Sequence, residues 1–324
     1  MIRKTLVAVL LAHVTISPAP AQVKWVNVDS LFQPLPSSVH LFFTNDSLDG
    51  KPNRAFCAIA NLTDKSLGFT VDTTHHRRLT PSQYYKRNNS PLLVVNCTFF
   101  SPQSKNLNVV IKNSKLLALN VPSVFNPADS LYHYLTRSAI GIDRHRHADV
   151  AWVFTDSSKN KPWALPEPLD TRGDKPYLPL KKLKSDLAAK NGGKLKTWRQ
   201  NTAVGGGPTL ISNGKITITN NEERMFSGEK IKDKHPRTAM GYTSDGCLIV
   251  LAIEGRFPGK AEGATLGQEA RMLSELGCYE ALNLDGGGSS CLLINGRQTI
   301  TPSDKTGQRP VPAVFMIKTI TRTD

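Results

Sequence analysis

The sequence of 324 residues predicts an α+β fold, a single large domain of mixed, mainly antiparallel sheets with packed helices. Three observations carry that expectation. Short apolar or alternating runs recur along the chain and are separated by Asn, Asp, Gly and Pro, the pattern of strands joined by turns. One run, Leu248 to Ile253, is apolar throughout, as a central strand covered on both faces requires. Helical spacing is confined to a few segments.

The elements follow in chain order. Arg3 and Lys4 precede a short apolar stretch, Leu6 to Leu11, and Ala19-Pro20-Ala21 supplies small residues at a cleavage point. Residues 1–21 therefore read as a secretory signal. The apolar stretch is far shorter than the ~20 residues that span a bilayer. Residues 22–324 are expected to be exported (periplasmic, at the cell surface or secreted), with no transmembrane segment. Val39 to Phe43, Ala55 to Ala60 and Leu67 to Val71 read as strands. Thr80-Pro81 opens a helix over Ser82 to Arg87, with proline in its first turn. Leu92 to Val95 is a buried strand that runs into Asn96-Cys97-Thr98-Phe99-Phe100. Residues 156–197, rich in Lys, Pro and Asp, read as an irregular insertion in which Leu180 to Lys190 has helical spacing. Gln268 to Leu276 is helical and Gly277 fits its stop. Ala281 to Leu284 and Val311 to Ile317 complete the strands.

The 41 Lys and Arg exceed the 26 Asp and Glu by 15. Such an excess suits an acidic partner or substrate, and equally a solvated basic surface. Few aromatics interleave with the lysines between Lys181 and Lys196, so a nucleic-acid groove is not expected. Five cysteines, an odd count, leave at least one thiol free in an exported protein. Cys57, Cys97, Cys247 and Cys291 lie in strand-like runs and read mostly as small buried hydrophobes. No cysteine pairs with histidine at zinc-ligand spacing, and no metal or cofactor is expected. The sequence sets no oligomeric state.

The most informative motif is Asn283-Leu284-Asp285-Gly286-Gly287-Gly288-Ser289-Ser290. A carboxylate ends an apolar run, and three glycines and two hydroxyls follow. Glycines allow positive φ and let backbone N–H groups approach a ligand closely. Four further stretches stand out. His235-Pro236-Arg237-Thr238 precedes an apolar strand. Ile253-Glu254-Gly255-Arg256 ends the central one. Val204-Gly205-Gly206-Gly207-Pro208-Thr209 is a glycine turn, and Asn96 places an amide at a strand end beside two aromatics. Each also has a plainer reading: a surface ion pair for Arg237, a local pair for Glu254 and Arg256, a backbone turn for Gly206, a packed core turn for Asn96. His235, before a proline, is more readily structural than a proton carrier.

Taken together, and with Arg137-Ser-Ala-Ile-Gly141, these motifs resemble the phosphodiester glycosidase family, over roughly residues 39–319. The resemblance implies removal of a sugar from a sugar-1-phosphodiester in a phosphorylated glycan or glycolipid. It implies a carboxylate acting at the sugar carbon, with Asp285 the first choice and Glu254 the second. Arginines would hold the phosphate: Arg237, Arg256 and Arg137, with Gly286, Gly287 and Gly288 adding backbone donors. Ser289, Ser290, Thr238, Asn96 and Gly206 would bind sugar hydroxyls or phosphate oxygens. Two alternatives stay open, a phosphoglycan-binding protein without catalysis and a metal-dependent phosphodiesterase that breaks P–O.

Overall fold

The computed structural model describes residues 22–156, 158–169, 171–191, 195–228 and 232–320. The signal read over residues 1–21 lies outside them. Strands hold 42% of the protein and helices 12%. The expected α+β fold with packed helices is thus corrected to a mostly β protein. The sheets are not mixed either, because every recorded strand pairing is antiparallel. The physical reason lies between residues 106 and 165. Several strands there are only three to five residues long, too short to show a period, and they supply part of the seven-stranded sheet and most of a three-stranded one.

Four sheets are present among the described residues. The eight-stranded sheet runs Val26–Asn27, Val39–Thr44, Ala55–Asn61, Cys247–Ile253, Arg237–Thr243, Cys278–Asn283, Thr209–Ser212, Lys215–Ile216. At its centre, the strand Cys247–Ile253 shows why its sequence is apolar throughout. Leu248, Val250 and Ala252 enter one core cluster, whereas Ile249, Leu251 and Ile253 enter another on the opposite face. A five-stranded sheet has Ala313–Thr319 between Leu93–Asn96 and Leu67–Thr73. A seven-stranded sheet contains Ala148–Asp156, Arg137–Ile142 and Thr202–Gly205 as neighbours. The 156–197 stretch adds Lys161–Leu165 and Lys196–Thr197 to its edge. The main core lies where these three sheets meet, with Leu41, Val95, Ile140, Met240 and Phe315 among its residues.

Three α-helices are described, and each covers the outside of a sheet. Helix α1, Pro81–Arg87, starts in a capping box in which the Thr80 hydroxyl accepts from Gln83 N–H at 3.2 Å and Gln83 Oε1 accepts from Thr80 N–H at 2.8 Å. It seats Tyr84 against the five-stranded sheet. Helix α2, Leu180–Asn191, places Leu183 beside Phe154 and Trp163. Helix α3, Leu266–Glu275, repeats the capping box with Thr265 and Gln268, and packs Leu266, Ala270 and Leu273 on the outer face of the eight-stranded sheet. No helix among the described residues is long and apolar enough to cross a membrane.

Candidate active site

The site forms where strand ends from the sheets converge. Antiparallel pairing sets Arg237 opposite Ile253, and Ala239 opposite Asn283. The start of one strand and the ends of its two neighbours therefore share one edge. The Asn96 side chain, at the end of a five-stranded-sheet strand, ties these ends together. Its Nδ2 donates to the Asp285 carbonyl, and its Oδ1 accepts from the Thr238 hydroxyl at 3.1 Å and from Cys291 N–H at 3.0 Å. The Thr238 hydroxyl also lies 3.2 Å from Ser290 Oγ. Asn96, Thr238 and Ser290 are almost fully buried. They form a scaffold that fixes the main chain around Asp285, to which Asp285 N–H adds a bond to Cys97 O at 2.8 Å.

Asp285 is partly exposed as a residue, but its Oδ2 is buried and has no hydrogen-bond partner among the described residues. Burial pushes its carboxyl up to about 7; hydrogen bonding by Ser289, the charge of Arg309 and the Gly286 N–H favour the carboxylate but do not outweigh it. The glycines serve chiefly to seat cations. A Cβ at Gly287, whose φ is +59°, would lie 3.0 Å from Arg256 Nη2, and one at Gly288 would lie 2.2 Å from Arg309 Nη2. Two guanidiniums thus rest on the bare faces of the loop beside Asp285. Several of the loop's N–H groups are already used: Gly287 N–H bonds Pro236 O at 2.8 Å, and those of Ser289 and Ser290 close a tight turn onto Gly286 and Gly287 carbonyls. Arg256 itself holds a φ of +67°, a left-handed conformation that is costly for a residue with a side chain.

Other expected residues occupy adjoining positions. Arg237 is 3% exposed; its Nε donates to Ala264 O at 2.9 Å, and its guanidinium carbon sits 5.7 Å from the centre of the Phe226 ring. Burial lowers its pKa from the usual arginine value, partly offset by the charge of Glu269. Glu254 turns toward Thr301 N–H, which donates to its Oε2 at 2.8 Å, and toward Arg54 at 3.8 Å. Arg137 donates to the Glu223 carbonyl and contacts Met225 Sδ. The Gly206 carbonyl accepts from Asn108 Nδ2 at 2.9 Å, and a Cβ at Gly206 would lie 2.4 Å from the Asn283 carbonyl, so only glycine allows that turn to press against the Asp285 strand. His235 pairs through its backbone with Ala264, and its Nε2 lies 3.9 Å from Asp233. Among the described residues no group of three or more His, Cys, Asp and Glu could hold a metal ion.

Residues 171–318 match the family model described as phosphodiester glycosidase. A stretch of 105 residues is 32% identical to the N-acetylglucosamine-1-phosphodiester alpha-N-acetylglucosaminidase of Bos taurus, covering 29% of this chain and 19% of that protein. Another of 81 residues is 39% identical to the SPbeta prophage-derived uncharacterized protein YomE of Bacillus subtilis, covering 25% of this chain and 12% of that protein. Among solved structures, the catalytic domain of zebrafish N-acetylglucosamine-1-phosphodiester alpha-N-acetylglucosaminidase, auto-inhibited by its pro-peptide, has the same fold. It is matched with a TM-score of 0.57 at 18% identity, over 92% of this chain and 88% of that one. Residues 171–318 are thus similar to the phosphodiester glycosidase family, and the chain spans under a fifth of the length of the bovine and Bacillus subtilis relatives.

The phosphodiester glycosidase match, residues 171–318, contains Gly206, Arg237, Thr238, Glu254, Arg256 and the Asp285 to Ser290 loop. Asn96 and Arg137 lie outside it and reach the same neighbourhood through the fold. Three buried or site-facing residues escaped sequence reasoning. Arg309 sits in a polar loop, where its Nε bonds Asp304 at 2.7 Å and its Nη1 approaches Ser289 Oγ at 3.5 Å. Glu223 lies in the run Asn220-Asn221-Glu222-Glu223-Arg224, which reads as a solvated turn, yet it is fully buried and accepts from Ser138, Thr209, Thr219 and Trp152. Glu269 is fully buried in the first turn of α3, and burial raises its pKa to about 8. Within a sequence, Arg309 and Glu223 do not differ from surface residues; Glu269 carries a signal, since it falls between Leu266 and Leu273 on the apolar stripe of α3.

Proposed function

We propose that this protein hydrolyses a sugar-1-phosphodiester at the glycosidic C–O bond, releasing the sugar and leaving a phosphomonoester on the remaining glycan or glycolipid. The observation that carries the reading is Asp285, whose unpartnered, buried carboxylate oxygen stands beside two guanidiniums seated on a glycine loop. The match of residues 171–318 to the phosphodiester glycosidase model supports a glycosidase acting on phosphodiester-linked sugar, and the name of the bovine relative states such an activity for that protein.

Each side chain then has a role. Arg256 and Arg309 hold the phosphate and the charge that develops on it as the C–O bond breaks. A phosphomonoester leaves readily because its second pKa is about 6, so little proton donation is needed. Asp285 acts as a carboxylate at the sugar carbon, where positive charge develops. Water supplies the new sugar hydroxyl, and its remaining proton goes to solvent or to the departing phosphate. Arg237, with its guanidinium bonded to backbone carbonyls, positions the strand that carries Thr238. Glu254 anchors Thr301, at the start of the segment that ends in Arg309. Residues 22–324 as one such domain, with 156–197 inserted, and export of the chain belong to the same proposal.

Hydrolysis in heavy-oxygen water tests the bond broken. The label is expected in the free sugar, with a phosphomonoester as the second product. Label in the phosphate would assign P–O cleavage and sink the proposal, as would unchanged turnover in Asp285→Asn.

A further inference from the structure

A cavity of about 610 Å³ lies at the far end of the seven-stranded sheet. The strand Arg137–Ile142 has Arg137 at the active-site end and Ile142 next to the loop Asp143–His145 that lines the cavity. Five steps along a strand at ~3.3 Å each separate the two ends by roughly 17 Å. The strand Thr202–Gly205 runs the opposite way, from Asn201 at the cavity to the Gly206 turn.

Two features make this cavity a built site. Gln200 is 9% exposed, and its Oε1 is buried without a hydrogen-bond partner among the described residues. A buried amide oxygen left unpaired is costly unless a ligand donates to it. Its position is fixed from behind: a Cβ at Gly141 would lie 2.3 Å from Gln200 Cγ and 2.9 Å from Trp198 Cζ2, so the glycine lets both side chains pack directly on the strand. The Trp198 indole is locked in turn by its N–H bond to Asp149. The second feature is charge. Arg144, Lys161 and Arg199 line the cavity with exposed side chains, against one carboxylate, Asp143. That carboxylate is already occupied by the N–H groups of His145 and His147 at 2.8 and 2.9 Å.

We infer that this cavity binds an anionic oligosaccharide at a second site, apart from the catalytic one. A sugar hydroxyl donates to Gln200 Oε1, and Arg144, Lys161 and Arg199 take the phosphate or carboxylate of the saccharide. Its volume falls within the range of small-molecule sites, about 300–1,000 Å³, enough for a short oligosaccharide. Identifying the ligand with another stretch of the phosphoglycan cut at Asp285 rests on the function proposed above; the second site does not.

Calorimetric titration of the full chain tests the inference, with Arg256→Ala/Arg309→Ala in the background to remove the grip of the catalytic site on phosphate. The probes are maltotriose carrying a 6-phosphate, maltotriose itself and inorganic phosphate. The phosphorylated trisaccharide is expected to bind at least tenfold more tightly than either other probe. Adding Arg144→Ala/Lys161→Ala should weaken it at least tenfold, and Gln200→Leu several-fold. Because Arg144 and Lys161 are exposed, the double variant keeps the fold, and in otherwise wild-type protein it should leave hydrolysis of a single-sugar phosphodiester unchanged. Absence of binding, binding indifferent to Arg144→Ala/Lys161→Ala, or phosphate alone binding as well as the phosphorylated sugar would each overturn the inference. Loss of the catalytic proposal with retained binding would leave it standing.

Discussion

At the scale of single residues, the decisive quantity is the proton affinity of Asp285. Its carboxyl titrates near 7 because burial disfavours its charge. A group that acts ionised makes activity rise with pH, so kcat/KM on a sugar phosphodiester should climb through a midpoint near pH 7. Arg309 favours the carboxylate. Replacing it in Arg309→Gln should move that midpoint upward, by roughly half to one pH unit, besides raising KM. A midpoint unmoved in Arg309→Gln would separate Arg309 from Asp285. The same shift bears on stability, with a definite sign. The ordinary aspartate value of 3.8 holds in the unfolded chain, so between about pH 4 and 7 the folded protein holds this proton more tightly. The contribution favours folding below pH 4 and is lost as pH rises to 7. Asp285→Asn should therefore match the wild type in denaturant titrations below pH 4 and exceed it at pH 8, by at most roughly 4 kcal/mol for about three units. Equal stability at pH 8 would mean that the carboxyl is not held in the charge-hostile surroundings described.

At the scale of elements, the loop after Asn283 works by leaving space. Gly288→Ala puts a methyl against the far end of the flexible Arg309 side chain. The arginine can swing away, so melting should change little while turnover falls at least tenfold; intact turnover would remove Arg309 from the site. The sequence made the long elements legible. The Thr80-Pro81 helix start, the helical spacing after Gln268, the apolar Cys247–Ile253 strand and the strand ahead of Asp285 carry strong local signals, since they are set by side chains close in sequence. The Lys115–Ala118 and Ser123–Asn126 strands do not: they are short, half exposed and defined by what they pair with. For the candidate site, the motif-bearing residues were readable, but the purpose of the glycines was not. Backbone donors for an anion were expected, whereas the close approach of Arg256 and Arg309 is a tertiary fact that depends on loops about 30 and 20 residues away in sequence.

At the scale of the whole molecule, the sequence carries a formal excess of 15 positive charges, and the candidate site contains two guanidiniums. Encounter with the anionic substrate proposed above would be assisted by the field of this excess charge, which salt screens over about 8–10 Å near physiological ionic strength. Raising salt from about 0.05 to 0.5 M should lower kcat/KM on a sugar phosphodiester several-fold and leave the melting temperature nearly constant. A salt-independent kcat/KM would confine the role of charge to direct contact. The placement of the last strand has another consequence. Ala313–Thr319 fills the slot between Leu67–Thr73 and Leu93–Asn96, and Ala55–Asn61 likewise awaits Cys247–Ile253. During synthesis the early strands emerge with their pairing edges open and their partners not yet made. Asn96, whose amide gathers the Asp285 loop, acquires its partners only after nearly the entire chain has been produced. The candidate site is thus completed late in synthesis, and chaperones that shield strand edges would matter for this protein more than for one built from local pairs.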